Sequence, residues 1–448
     1  MKDLTQGSIT RHLIEMAIPM AIGMLAQTLY LMIDTYFVAK FGPVAIAGVS
    51  TGGTFVFAIM ALTQMLGVGA VALIAHAVGA KDQPRANLIF NQSLVLSGLC
   101  GVLALIGGYA LIGPYLRTLA ADAATVEAGT TYLQWYMPGL ALQFALIAMG
   151  SALRGTGIAT PPMIVQLVTV LLNAILAPIL IGGLGTGHPL GVAGAGLASS
   201  VSIAVGVVIL TVYYLKLEKY VAFHQDQWRP RLDTWLKILN IGFPAGGEFL
   251  LMFVYLSVVY FAIHSFGAEA QAGVGIGSRV MQAVFLPVMA IGFAVAPVAG
   301  QNFGAKNAAR VRETFRDALL IGGVLMFIVG GLTWILAPRL IGFFFDASPN
   351  VLSVGATFLR FVCWNFVMSG LIFTCSGLFQ ALGNTWPSVI ASGTRLVTFA
   401  VPVLIVSRQP GFRIEHVWYL SVGTVWIQAL LALLMARREM NRRLVFAT

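Results

Sequence analysis

Apolar stretches long enough to cross a lipid bilayer dominate this sequence of 448 residues. A transmembrane helix needs about 20 consecutive apolar residues, and turn signals rich in glycine and proline separate the stretches that reach this length. We identify twelve of them, at residues 13–38, 46–75, 88–112, 130–152, 160–184, 191–215, 237–264, 270–299, 317–341, 351–377, 387–406 and 417–436. The sequence therefore predicts an all-α integral membrane protein with twelve transmembrane helices.

Composition and charge support this class and indicate an orientation. Only 9% of the residues are charged, whereas soluble domains carry about 25%. With the N-terminus in the cytoplasm, 18 Lys and Arg side chains fall in inner loops and tails and 5 in outer loops. Because basic residues concentrate in cytoplasmic loops, this ratio predicts that both termini are cytoplasmic. It also explains the net charge of +10 without nucleic acid, and we expect a multi-pass protein of the bacterial inner (plasma) membrane.

The two halves of the chain repeat each other at an offset of 225 to 226 residues. One matching pair is "FGPVAIAGV" from Phe41 and "FGAEAQAGV" from Phe266. Six spans per half is an even number, so both halves enter the membrane from the same side. We therefore predict two six-helix lobes, 1–220 and 237–448, related by a pseudo-two-fold axis along the membrane normal and joined by a cytoplasmic linker at 221–236. Transporters built in this way bind substrate near the midplane between repeats.

Two acidic residues lie inside spans and occur in only one half of the repeat. Asp34 aligns with Val259, and Glu248 aligns with Gly23. A carboxylate in a lipid-facing helix costs roughly 2.5–3.5 kcal/mol on insertion scales, and ionisable groups within spans usually have a functional role. A requirement of the fold would appear in both halves, so the two acids are candidate functional groups.

Several motifs, in order along the chain, point to one family. They are "GSITRHLIEMAIPM", "LYLMIDTYFVAKFG", "AVGAKD", "ALRGTG" followed by a proline, "GVAGAGLASS" and "GQNFGAKNAARV". With these motifs the chain resembles the MATE family, the multidrug and toxic compound extrusion transporters, in its bacterial NorM- and DinF-like branches, over essentially its whole length. The resemblance implies a V-shaped pair of six-helix lobes and cation-coupled efflux of amphipathic, usually cationic, compounds.

The resemblance also assigns residues to a cation site. Asp34 matches the acid of the first lobe's cation site, and Tyr30, Asn173 and Ser199 match its companions, although the family often has Thr at the last position. Asp34 can accept a proton, or it can stay ionised and bind Na⁺ together with Asn173. Na⁺ is therefore the metal expected at this site if one binds, and the coupling ion is either H⁺ or Na⁺.

Glu248 departs from the pattern of the family. In the NorM-type branch the acid of the seventh span follows the proline by about two turns, whereas Glu248 follows Pro244 by one. The acid of the tenth span is replaced by Ser369. Glu248 is therefore a second candidate acid, which would bind either a coupling ion or the substrate. It is either the family's seventh-span acid displaced by one turn or an acid with another role.

We accordingly predict a secondary antiporter that exports amphipathic cationic drugs in exchange for H⁺ or Na⁺. It would be a monomer, with no cofactor beyond the coupling ion and no nucleic-acid partner. A lipid-linked precursor flippase of the same broad superfamily is an alternative, although a more cationic central cavity would be expected for it. A membrane-embedded enzyme is less favoured, because the spans contain no Asp-rich diphosphate motif, zinc-ligand spacing or acyl-transfer His/Asp pair.

Overall fold

The computed structural model describes residues 1–119, 122–185, 187–344 and 349–446, and these residues form helices and turns without a strand. The helices are α1 (Ile9–Ala39), α2 (Pro43–Gly79), α3 (Gln83–Leu119), α4 (Ala123–Gly155), α5 (Thr160–Leu180), α6 (Val192–Lys216), α7 (Leu232–Ile263), α8 (Ala268–Gly304), α9 (Ala308–Phe344), α10 (Pro349–Val362), α11 (Phe366–Ala381), α12 (Trp386–Val406) and α13 (Ile414–Arg443). Within this described part, twelve candidate spans are long and apolar enough to cross a membrane. The prediction of an all-α protein with twelve transmembrane helices is confirmed.

The helices mostly extend beyond the apolar stretches that predict them. The last span is expected at 417–436, whereas α13 runs from Ile414 to Arg443. Polar residues continue a helix at the membrane surface, because the backbone hydrogen bonds propagate once a helix has started. The tenth span differs, since a short 3₁₀ turn at Cys363–Asn365 separates α10 from α11.

Local chemistry fixes where α4 begins. Asp122 is the N-cap residue, and the backbone N–H of Thr125 donates to its Oδ1 at 2.7 Å. This bond satisfies a donor that a helix start otherwise leaves unpaired. The same hydrogen bond lowers the pKa of the Asp122 carboxyl, because it stabilises the ionised form.

Turns at repeat-related positions adopt the same unusual backbone conformation. Lys81 and Lys306 both have φ of 57°, a left-handed value that is uncommon for any residue other than glycine. Gly42 and Gly267, which precede α2 and α8, have φ of 96° and 86°. Two lysines held in the same rare conformation, 225 residues apart in sequence, support the internal repeat.

The chain divides into two compact units. The first contains Met1–Asp3 and Ile22–Gly242, and the second contains Leu4–Ala21 and Phe243–Thr448. The predicted lobe boundaries stay a prediction, but by contacts the start of α1 belongs to the second unit and the start of α7 to the first. Within the second unit, for example, the backbone N–H of Leu4 donates to Gln301 Oε1 at 2.9 Å.

Amide side chains of α3 bind the predicted linker within the first unit. The backbone N–H of Ala222 donates to Asn87 Oδ1 at 2.8 Å, and that of His224 donates to Asn91 Oδ1 at 3.0 Å. Asn91 is fully buried although it is polar. Buried amides of this kind are satisfied by backbone groups, so the segment 221–236 is attached to α3 rather than free.

Candidate functional site

Asp34 lies in the C-terminal half of α1, within the first unit. Its carboxylate accepts two hydrogen bonds, one from Asn173 Nδ2 of α5 and one from Ser199 Oγ of α6, each at 3.1 Å. Asp34 is 5% exposed, and Asn173 and Ser199 are fully buried. Three of the four residues that the resemblance assigns to a cation site are therefore in contact, although 139 and 165 residues separate Asp34 from the other two.

Among the described residues, no basic side chain forms an ion pair with Asp34. The ion pairs among the described residues lie elsewhere, such as Arg11 with Glu15 and Arg443 with Glu439. Both partners of the carboxylate are neutral donors, and a buried charge without a counter-charge is costly. A mobile cation or a proton would remove that cost, so this environment suits reversible binding of a small cation.

Two oxygens beside the carboxylate have no hydrogen-bond partner of regular geometry among the described residues. They are Oδ1 of Asn173 and the hydroxyl of Tyr30, both buried, and the Tyr30 hydroxyl lies close to Ser199 and Tyr136. Tyr30 precedes Asp34 by one helical turn, so the two side chains share a face of α1. Unsatisfied buried oxygens are rare and call for an explanation. Carboxylate, amide and hydroxyl oxygens are ligands for hard cations, so the residues fit a bound Na⁺ as well as a protonated carboxyl.

Two tyrosines of α4 complete the surroundings and were not anticipated from the sequence. Tyr132 and Tyr136 are each 6% exposed, their ring centroids are 5.5 Å apart, and both interact electrostatically with Asp34. Their spacing of four residues places them on one face of a helix. That spacing was the only feature of the sequence that could have pointed to these tyrosines. Spacing alone, however, does not show which face of α4 packs against α1.

Glu248 belongs to a separate polar cluster in the second unit. Ser376 Oγ of α11 donates to Glu248 Oε2 at 3.1 Å, and Ser388 Oγ of α12 donates to Ser376 Oγ at the same distance. The acid is partly buried on α7. Glu248 thus lies in a polar cluster with two serines. It does not belong to the group of residues that surrounds Asp34.

Clusters of potential metal ligands were sought in the described part of the chain. There, no group of three or more His, Cys, Asp or Glu side chains is arranged to hold a metal ion. Asp34 and Glu248 each have neutral hydrogen-bond partners instead, and one carboxylate with neutral donors is a poorer site for a divalent cation than a cluster of carboxylates.

Comparison with known proteins decides the family. The MatE family model matches residues 19–179 and 244–406, one segment in each half of the repeat. The chain belongs to the MatE family. The resemblance inferred from the motifs is therefore confirmed over most of the sequence.

Curated multidrug and FAD transporters are similar to this MatE protein over most of their length. It is 24% identical over 432 residues to the probable multidrug resistance protein YoeA of Bacillus subtilis, covering 94% of this chain and 90% of that protein. It is 25% identical to the multidrug export protein MepA of Staphylococcus haemolyticus, covering 98% and 95%. A third relative is an FAD transporter of Shewanella oneidensis, at 24% identity and 90% coverage of each chain.

Solved structures of the family share the fold. An outward-facing multidrug resistance MATE transporter of the MOP superfamily superposes with a TM-score of 0.91 at 26% identity, covering 98% of each chain. A MOP superfamily transporter from Pyrococcus furiosus, described as having a binding pocket of reversed polarity, gives 0.91 at 25% identity, covering 99% of this chain and 98% of that one. This MatE protein is thus a multi-pass membrane transporter of the multidrug efflux type that handles small molecules, and it is not an enzyme.

Proposed function

We propose that this MatE protein is an antiporter that exports amphipathic cationic compounds in exchange for H⁺ or Na⁺. It would act as a monomer in a bacterial inner membrane with both termini in the cytoplasm, and the coupling ion would be its only cofactor. The observation that carries the proposal is the buried carboxylate of Asp34, which is held by Asn173 and Ser199 and paired with no basic group in the described chain.

The cycle follows from competition for one negative charge. When an ion from outside neutralises Asp34, the affinity for a cationic drug falls and the protein returns to face inward. When a drug then binds, it favours release of the ion. A ligand shifts a conformational equilibrium only by its difference in affinity for the two states, and the charge of Asp34 supplies such a difference. Tyr30 and Asn173 contribute the remaining oxygens for the ion.

Transport by the purified protein tests this proposal. In proteoliposomes loaded with a cationic dye, we expect a pH gradient or a sodium gradient, imposed separately, to drive dye movement. The gradient that drives dye movement identifies the coupling ion. If Asp34 binds a proton, the pH gradient alone drives transport and sodium is not required. Dye movement that ignores both gradients would refute antiport, and protein-free liposomes give the background.

We further propose Glu248 as a second coupling acid in the same protein. If a second ion binds there, exchange of two ions for one monovalent drug moves net charge, and a potential of 100 mV adds about 2.3 kcal/mol. That energy corresponds to about 50-fold in drug accumulation. Replacing Glu248 with Gln should remove this dependence on potential while transport driven by the ion gradient remains.

The measurement compares dye accumulation with and without a potassium diffusion potential. Glu127→Gln is the matched control, since Glu127 is an exposed residue of α4 in the first unit, and it should behave as wild type. If Glu248→Gln and wild type respond equally to the potential, Glu248 is not a coupling site, and a role in substrate binding is left for it.

A further inference from the structure

A cavity in the second unit has a lining of apolar residues. It lies between the start of α1 and helices α8 and α9, and its volume is about 160 Å³. A cavity of roughly 150 Å³ with such a lining stays dry and binds a molecule of the size of benzene. Ile14 and Ile18 at its edge are exposed, so the cavity opens onto the surface of the unit. The lining residues, all of this unit, are Leu13, Ile14, Ala17, Ile18, Ala21, Pro287, Ile291, Ile321 and Leu325.

Helices α1 and α8 cannot approach each other as closely as the repeat-related helices of the first unit do. There, Gly242 of α7 lies against a backbone carbonyl of α2, and Gly69 of α2 lies against one of α7. A Cβ on either glycine would overlap the partner helix. The repeat-related residues of the second unit are Ala17 of α1 and Ala294 of α8. Because each of them carries a methyl group, room is left between α1 and α8 for a ligand.

Polar groups connect α1 and α9 beside the cavity, at the end where both helices begin. Thr10 Oγ1 donates to Asp317 Oδ2 at 2.9 Å, and Arg316 Nη2 donates to Asp317 Oδ1 at 3.0 Å. Asp317 lies one turn before the cavity residue Ile321, and Thr10 lies one turn before Ile14. The cavity therefore has a charged rim, on the side that is cytoplasmic in the proposed orientation.

The basic members of this rim face outward. In the pair of Arg316 with Asp317, the arginine side chain is 69% exposed and the aspartate side chain 14%. In the pair of Arg11 with Glu15, the arginine is again the more exposed member. Arg312, one turn before Arg316, is also exposed and belongs to none of the ion pairs among the described residues. An anion that approaches the rim meets arginines first, and the arginine fork binds phosphate through two parallel hydrogen bonds.

The first unit covers the repeat-related surface with its own chain. Asn87 and Asn91 of α3 align with Arg312 and Arg316. Both asparagines are buried and hydrogen-bonded to the backbone of the segment 221–236. In the second unit the arginines at these positions are exposed instead. A surface that one unit closes with backbone thus carries two exposed cations in the other, which indicates a ligand with negative charge.

We propose that the second unit binds an anionic phospholipid of the cytoplasmic leaflet, with one acyl chain in the cavity and the phosphate on Arg312 and Arg316. Arg316 precedes the cavity residues Ile321 and Leu325 by five and nine residues, which is about 8 and 14 Å along α9. The head group and one chain of a single phospholipid extend over such a distance. The bound chain fills the space between α1 and α8 and stabilises the attachment of α1 to this unit. The inference does not depend on the transported substrate or on the coupling ion.

The test compares two lipids that have the same acyl chains. Dioleoylphosphatidylglycerol carries a net negative charge, whereas dioleoylphosphatidylcholine carries none. Binding of each lipid to the purified full-length protein in a neutral detergent is measured by native mass spectrometry over a titration. We expect the wild type to bind phosphatidylglycerol about tenfold or more tightly than phosphatidylcholine, the ratio expected for a hydrogen bond to a charged group. Replacing both Arg312 and Arg316 with Gln should abolish this preference and leave phosphatidylcholine binding unchanged.

The role of the acyl chain is tested by a variant that fills the cavity. Ala21→Phe places a ring in a space of suitable volume, and it should weaken the binding of both lipids. Ala123→Phe adds the same side chain at an exposed position of α4 in the first unit and should weaken neither. Arg85 and Arg229 are exposed in the first unit. Replacing both with Gln removes the same charge as the double arginine variant and should preserve the preference.

Several results would overturn the proposal. They are a wild type without a preference for phosphatidylglycerol, an equal loss of preference in the two double arginine variants, and unchanged lipid binding by Ala21→Phe. Displacement of phosphatidylglycerol by a large excess of inorganic phosphate would show a site for free anions instead. If the variant without Arg312 and Arg316 does not fold, the wild-type preference and the response of Ala21→Phe decide between these outcomes.

Discussion

Replacing Asp34 with Asn should reduce gradient-driven dye efflux to the background of protein-free liposomes. Asparagine keeps the shape of the side chain and one acceptor oxygen for Ser199 or Asn173, so the packing of α1, α5 and α6 is expected to persist. The amide cannot take up a proton and offers no charge to Na⁺. Coupling between two ligands corresponds to about 5- to 150-fold in affinity, and this substitution removes its source. Efflux is followed with a cationic dye under the gradient that drives the wild type.

An exposed aspartate provides the control. Asp233, in the first turn of α7, is exposed and lies 3.9 Å from Lys237. Such surface pairs contribute about 0–1 kcal/mol, so Asp233→Asn should transport as wild type does. Unchanged efflux by Asp34→Asn would exclude Asp34 from the mechanism. Dye binding that no longer responds to the coupling ion, in a variant that still binds dye, would show that coupling rather than folding was lost.

The sequence predicts the spans well because the membrane imposes a simple rule on them. Every span needs a long apolar stretch, and the twelve stretches are visible without any knowledge of packing. The break at Cys363–Asn365 was not predicted, since residues 351–377 are apolar on both sides of it. Apolarity reports where the chain lies in the bilayer, but it does not report where helical hydrogen bonding is interrupted.

The site was predictable only in part. That Asp34 has a function follows from its cost and from its absence in the other half, but its contacts with Asn173 and Ser199 came from the family resemblance. Periodicity gives the face of a helix and not its neighbour, which is why Tyr132 was missed. Ser376 was missed for a different reason. A serine in an apolar helix can bond to the backbone of its own helix, so its presence alone does not indicate a contact with Glu248.

The second large effect concerns stability, and we expect Gly377→Ala to destabilise the protein strongly. A Cβ at Gly377 of α11 would lie 2.1 Å from the carbonyl oxygen of Gly292 and 3.0 Å from Val295, both of α8. Backbone cannot move aside as a flexible side chain can, so α8 and α11 would have to separate. Overpacking of this kind costs about 1–3 kcal/mol and sometimes more. For a chain of this length we expect an apparent Tm lower by about 3 °C or more in detergent, measured by tryptophan fluorescence on heating.

A glycine in open space is the matched control. A Cβ on Gly323 of α9 would meet nothing within 4 Å, and Ala stabilises a helix interior by about 0.5–1 kcal/mol relative to Gly. Gly323→Ala should therefore leave the Tm unchanged or raise it slightly. If both variants melt alike, the close approach of α8 and α11 is not a determinant of stability.

The helix pair of the first unit that corresponds to α8 and α11 in the internal repeat is packed differently at this point. At the repeat-related positions of the first unit, α2 has Gly67 and α4 has Ser151, and a Cβ on Gly67 would lie 2.9 Å from the Ser151 hydroxyl. That helix pair already accommodates a side chain opposite its single glycine, whereas the pair in the second unit has a glycine on each helix and its backbones approach more closely. Ser151→Gly should therefore introduce no clash, and its cost should come from helix propensity, about 1 kcal/mol, and from the lost hydrogen bond that Arg154 Nη2 donates to Ser151 Oγ at 2.7 Å. Gly377→Ser introduces a clash instead and should destabilise at least as much as Gly377→Ala. A Gly377→Ser variant that melts like the Gly323→Ala control would contradict the close approach of α8 and α11 described above.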